Sequence, residues 1–237
     1  MASAAVPGFL PSTHGLRFRN AWPKGPTITL AGLPPNIGLG NAALGLCGGM
    51  VMTTRDLFEA GIEPPTDAVP PASGSARFRA IVRRQAQSLD WLRVPARYYD
   101  LQAGRPDPPA GMAERRGREP ARVRSLTREW PRIRAAIDAG ELPLVGLVRV
   151  AGWSPLLLTR NHQTLGYAYD EAPGRIELRV YDPNHPNDDT VTIRMETDAD
   201  DGRPLRERIR LTQSTGEPLL GFFRQPYPRP DSLRAWR

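Results

Sequence analysis

Gly45-Leu46-Cys47-Gly48-Gly49-Met50-Val51 contains the only cysteine of the chain, with two glycines directly behind it. Beyond them, Met50, Val51, Thr54, Leu57 and Phe58 recur at i, i+3, i+4 spacing, the pattern of a helix with one buried face. The spacing predicts a helix running to about Ala60, where Gly61 caps it and Pro64-Pro65 prevent its continuation. Cys47 then falls in the first turn. Unpaired N–H groups and the helix dipole there favour a thiolate, the nucleophilic form of cysteine. The glycines leave room for another backbone to approach. A lone cysteine can also be plain core, since free cysteine is among the most buried residue types. The assignment therefore turns on whether a base faces it.

Three histidines are available: His14, His162 and His185. His162 opens His162-Gln163-Thr164-Leu165-Gly166-Tyr167-Ala168-Tyr169, whose β-branched and aromatic content reads as a strand. After the turn Glu171-Ala172-Pro173-Gly174, the run Arg175-Ile176-Glu177-Leu178-Arg179-Val180-Tyr181 alternates polar and apolar, as a half-buried strand does. A hairpin about that turn puts Asp182 opposite His162 or one residue off it, with cross-strand side chains within ~5.5 Å. An acid so placed can hold the imidazole in the tautomer that faces a thiol. Asn184, two positions along, is the alternative orienting residue if the register slips. Taken alone, His162 could be a satisfied core histidine; together with Cys47 and Asp182 it points to a nucleophilic site. His14 reads as a surface residue.

Asn41 lies six residues before Cys47, in the glycine-rich approach Gly38-Leu39-Gly40-Asn41. Its amide could donate to a developing oxyanion alongside the Cys47 N–H. It could equally be an Asx-turn or N-cap residue entering the helix.

The order Cys, His, Asp, with the cysteine opening a helix and the other two on successive strands, resembles the papain-like cysteine peptidase superfamily. Within it, His162-Gln163-Thr164-Leu165-Gly166-Tyr167 and Val180-Tyr181-Asp182-Pro183-Asn184 are similar to the His and Asp-Pro segments of the bacteriocin-processing (double-glycine leader) peptidase branch. The resemblance covers three short segments. It implies a papain-like fold and a thiol hydrolase in which Cys47 is the nucleophile, His162 the base and Asp182 the orienting acid. Those relatives carry a glutamine ahead of the cysteine, and Asn41 stands at the matching position as a shorter substitute.

Composition narrows the alternatives. The net charge is +7 and the pI about 10.3, nearly all of the positive charge being arginine because Lys24 is the only lysine. The arginines are scattered and not interleaved with aromatics, which argues against nucleic acid as the partner. No apolar run approaches the ~20 residues that span a bilayer, so no membrane span is expected. Met1 to Leu10 lacks the charged start and apolar middle of a secretory signal. A single cysteine excludes internal disulfides. The expected location is the cytoplasm, or export without such a signal. Neither metal nor cofactor is expected: the histidines and the cysteine lack metal-ligand spacing, and Asp182 to Asp189 lacks the glycine and closing glutamate of a calcium loop.

In chain order, residues 1–35 read as an extended N-terminal arm anchored by Phe18 and Trp22. The helical half, 36–140, adds to the Cys47 helix a second helix at about Ala76 to Leu92. A third carries Val123, Leu126, Trp130, Ile133 and Ile137 and is kinked or restarted by Pro131. Between them, Val94 to Pro120 is rich in Pro, Gly and Arg and reads as a loop. It is either a substrate-binding lid carrying Tyr98 and Tyr99 or a disordered insertion. The sheet half, 141–225, holds Leu144–Val148, the His162 hairpin, and strands at 190–195, 205–211 and 219–223; residues 226–237 form a proline-rich tail. Helices first and strands after predict an α+β fold, with the Cys47 helix packed on a C-terminal antiparallel sheet.

The activity expected from these residues is hydrolysis of a peptide or amide bond in a peptide or protein substrate. The alternatives are a catalytically silent papain-like binding or effector module, and a secreted bacterial toxin using the same residues for deamidation or acyl transfer. A toxin would bring an immunity or delivery partner.

Overall fold

One antiparallel sheet with helices packed on it makes an α+β fold, described for residues 1–22, 45–103 and 119–237 of a computed structural model. The strands are β1 (Ala2–Ala5), β2 (Leu144–Val148), β3 (His162–Ala172), β4 (Arg175–Tyr181), β5 (Thr192–Thr197), β6 (Ile209–Gln213) and β7 (Gly221–Arg224). They order as β6-β5-β4-β3-β2-β7, and every pairing is antiparallel. The long strand β3 has β4 along one side. On the other it pairs first with β2, at Leu147↔His162, and then with β1, at Ala5↔Ala168. The all-apolar Leu144–Val148 segment is buried at every position, which explains why it does not alternate.

Helices α1 (Pro11–His14), α2 (Cys47–Glu59), α3 (Ala76–Ser88) and α4 (Arg93–Ala103) precede β2. In α2 every residue from Gly48 to Leu57 is buried, so the helix is enclosed and not amphipathic at the surface. Val51 and Met52 face the sheet core with Val145, Leu165 and Tyr181. Met50 and Leu57 face a second cluster with Leu16, Phe18, Trp22, Phe78, Ile81 and Trp236. The buried acid of this helix is paired inside: Asp56 lies 2.9 Å from the Arg84 guanidinium and accepts a hydrogen bond of 2.7 Å from the Tyr227 hydroxyl.

Close approach of α2 to its neighbours depends on Gly48 and Gly49. A Cβ on Gly49 would lie 2.2 Å from the carbonyl oxygen of Ile81, a main-chain atom that no rotamer change can move. Gly49→Ala should therefore push α3 off α2 and destabilise the protein by about 1–3 kcal/mol or more. Chemical denaturation checks this, and wild-type stability in the variant would show that the two helices do not pack this closely.

Several expectations are corrected. Residues 94–103, read as the start of a loop, belong to α4, with Val94, Tyr98 and Leu101 buried against β2 and β7. Tyr98 is thus an internal group and not part of a lid. The N-terminal arm begins as strand β1, and Val6 and Phe9 enter the sheet core. His14 is half-buried and packs on Phe9 and Phe58. The segment read as Leu205–Leu211 splits into a helical turn, Leu205–Arg208, followed by β6. Pro131 goes with a widened turn at Ser125–Glu129, through which the helix continues from Ala121 to Asp138 without a break, because proline has no N–H to continue the regular ladder. The tail is strapped down: Tyr227 lies 3.7 Å beneath the Arg55 cation, Pro228 accepts from Arg84, and Trp236 is buried. Residues 23–44 and 104–118, including Asn41, the rest of the arm and most of the expected lid, lie outside the described residues.

Candidate active site

Cys47 is the first residue of α2, with Leu46 as its N-cap, and the residue is half-buried. His162 is the first residue of β3, at the end of the sheet nearest the start of α2. Gly48 makes this approach possible, since a Cβ there would lie 2.4 Å from Gln163 Oε1 and 2.3 Å from Ser88 Oγ. The thiol faces the imidazole, and the N–H groups of Gln163 and Gly48 also bear on the sulfur. Nε2 of His162 donates to Asp182 Oδ1 at 2.7 Å, which leaves Nδ1 for the thiol.

Asp182 follows β4 directly and is fully buried. The hairpin register differs from the expected one. The loop is only Pro173-Gly174, with Ala172 paired to Arg175, and a bulge between Gly166 and Ala168 then shifts the pairing so that Leu165 faces Tyr181. Asp182 therefore lies past the last pair, diagonal to His162 and not opposite it. The bond forms because diagonal neighbours remain within reach of long side chains. Asn184, the alternative orienting residue, does not face the ring. Its main-chain N–H donates to Asp182 Oδ1 at 2.8 Å, and its side-chain oxygen accepts from Asn20.

The second carboxylate oxygen is held too. Gln213 Nε2 donates to Asp182 Oδ2 at 3.0 Å, and the Arg149 guanidinium lies 3.7 Å from the same oxygen while donating to Gln213 Oε1 at 2.9 Å. The carboxylate is thus pinned from four directions. His162 is steadied from behind: its carbonyl accepts from the Tyr98 hydroxyl at 2.6 Å, and the Tyr98 oxygen accepts from Gln225. Its neighbour Asn161 accepts from the Arg149 N–H and donates to Gln102.

These contacts set the charges. Burial alone would push the Asp182 carboxyl up, but the His162 charge and hydrogen bond, the Asn184 N–H and Arg149 carry it down to about 2. Burial alone would favour a neutral His162 ring; Asp182 and then Cys47 outweigh it and lift the imidazole to about 9. The Cys47 thiol is pushed up by burial and brought below its ordinary value by His162 and the two N–H groups. The arrangement favours a thiolate–imidazolium pair held by a buried carboxylate. It can perform nucleophilic attack followed by proton delivery.

Tyr98, Arg149, Gln213 and Asn20 are the contributors that sequence reasoning missed. Gln213 comes to Asp182 across β5, a relation set by sheet order and without a local sequence signal. Tyr98 lies in a segment whose Pro and Arg content masks its helical periodicity. No group of three or more His, Cys, Asp or Glu suited to a metal ion occurs among the described residues, and no helix is long and apolar enough to cross a membrane among them. No protein-family model, curated protein or solved structure matches the chain.

Proposed function

We propose that the protein is a cysteine hydrolase of papain-like fold that cleaves a peptide or amide bond. One observation carries this: the cysteine that opens a buried helix faces an imidazole whose other nitrogen is bonded to a fully buried carboxylate. In the proposed reaction the Cys47 thiolate attacks the carbonyl carbon, the carbon–sulfur bond forms, and the π electrons move to oxygen. The Cys47 N–H in the first helical turn is the donor assigned to that oxyanion, with Asn41 as its partner. As the carbon–nitrogen bond breaks, His162 passes its proton to the leaving amine. His162 then takes a proton from water, which attacks the thioester and releases the acid and the free thiolate. An amine in place of water would give acyl transfer with the same groups.

The test is a panel of peptide and amide substrates together with a peptidyl electrophile, read by product formation and intact mass. The expected result is turnover and a single adduct on Cys47, both absent from Cys47→Ala. Turnover that survives in Cys47→Ala, or an electrophile that labels Cys47 no faster than free cysteine, contradicts the proposal.

A further inference from the structure

Asn20 lies in the N-terminal segment, far in sequence from the cysteine, the histidine and the aspartate, yet its groups reach both sides of the site. Its side-chain oxygen accepts the N–H of Leu46, the residue before Cys47, at 2.7 Å, and the Trp22 indole N–H at 3.1 Å. Its side-chain nitrogen donates to Asn184 Oδ1 at 3.2 Å, and its main-chain N–H donates to the Pro183 carbonyl at 2.8 Å. Leu46 leads into the nucleophile; Pro183 and Asn184 follow the orienting acid. The room for this is made by Gly45, whose φ of +92° suits glycine and where a Cβ would lie 2.8 Å from Asn20 Nδ2.

The segment carrying Asn20 is itself fixed to the same turn. The Ser12 N–H and hydroxyl both donate to the Asp189 carboxylate, at 2.8 and 2.6 Å, and Phe18 and Trp22 are buried against α2 and α3. The turn from Asp182 to Asp189 is therefore bonded to the N-terminal segment near both of its ends.

From this geometry we infer that Asn20 is a positioning residue, which clamps the loop before Cys47 to the turn after Asp182 and so holds the thiol in register with His162. The inference rests on the proposed hydrolase reading. A side-chain amide suits this place because it supplies an acceptor for Leu46 and a donor for Asn184 at once, with no net charge beside the thiolate. With the clamp gone, Leu46 loses its partner, the start of α2 is free to shift, and the thiol moves away from the imidazole. The thiolate then loses the interaction that most lowers its pKa.

The experiment is the pH profile of Cys47 alkylation by iodoacetamide in wild type, Asn20→Ala and Asn20→Ser, with thermal unfolding recorded alongside. The serine hydroxyl is too short to span to both partners, and it keeps the segment polar should the alanine variant fold poorly. The expected result is a wild-type midpoint well below the ~8.5 of free cysteine, raised by about one unit in both variants. At acid pH that corresponds to a roughly tenfold slower alkylation. A purely structural role would lower the unfolding temperature and leave the midpoint of the folded protein where it was. A wild-type midpoint that is low and unchanged in the variants overturns the role of Asn20 and leaves the hydrolase reading standing. A wild-type midpoint near 8.5 removes the reading and the clamp together.

Discussion

Cys47→Ala should fold as wild type does and lose turnover by on the order of 10⁴-fold or more. The stability expectation follows from the small size of the change, the loss of one sulfur atom, and from its place at a helix start, where alanine is well tolerated. The loss of rate follows because no other described group faces His162 as a nucleophile; the remaining contacts are a carboxylate, an N–H network and a tyrosine hydroxyl bonded to a carbonyl. Steady-state assays on any substrate that the wild type cleaves, with denaturation curves for both proteins, test this. Residual turnover within about tenfold of wild type would place the chemistry elsewhere.

Asp182→Asn keeps the shape of the orienting residue and removes its charge, so its effect isolates the electrostatic role. The amide cannot accept everything the carboxylate accepts from His162, Asn184 and Gln213, and Arg149 loses the charge it faces. Turnover should fall by about 10²–10⁴-fold, with thiol reactivity retained but moved to higher pH. The same change alters how stability depends on pH. The wild-type carboxyl, at about 2, lies below its ordinary value of 3.8, so its contribution is complete above pH ~4 and is lost as pH falls through ~2. The wild-type imidazole, at about 9, lies above its ordinary 6.5, so its contribution is complete below pH ~6.5 and is lost as pH rises through ~9. Asp182→Asn should flatten both limbs of the curve. Urea unfolding across pH measures this, and parallel curves for the two proteins would show that the carboxylate does not hold the ring.

Much of this architecture is legible in the residues. The i, i+3, i+4 run after Cys47 and the Gly61 stop set α2 to within a residue, because its breakers are local. The Pro173-Gly174 turn marks the hairpin, since proline and glycine fix the backbone there. The register itself is not local: it depends on loop length and on the bulge at Gly166, and an expectation centred one residue early puts Asp182 opposite the histidine instead of diagonal to it. Strand β1 is Ala2–Ala5, too short and uniform to show alternation, and it forms because β3 extends beyond β2 and leaves an edge to cover. Helix α4 contains Pro95 and two arginines and reads as a linker, although its Val94, Tyr98 and Leu101 share one buried face. For the site, Cys47, His162 and Asp182 stand out by residue type and order. Gln213, Arg149 and Asn20 do not, because amides and arginines are common on surfaces and only tertiary packing brings them there: sheet order carries Gln213 and Arg149 to the acid, and the docking of the N-terminal segment carries Asn20 to the loop before the thiol.

Thiolate absorbance, followed as a function of pH in wild type and in His162→Ala with Cys47→Ala subtracted as background, reads the Cys47–His162 pair directly. The geometry predicts a wild-type step well below the ~8.5 of a free thiol, moving to or above that value when the imidazole is removed. A wild-type step at ~8.5, or a low step that His162→Ala leaves in place, would contradict the ion pair on which the proposed chemistry depends.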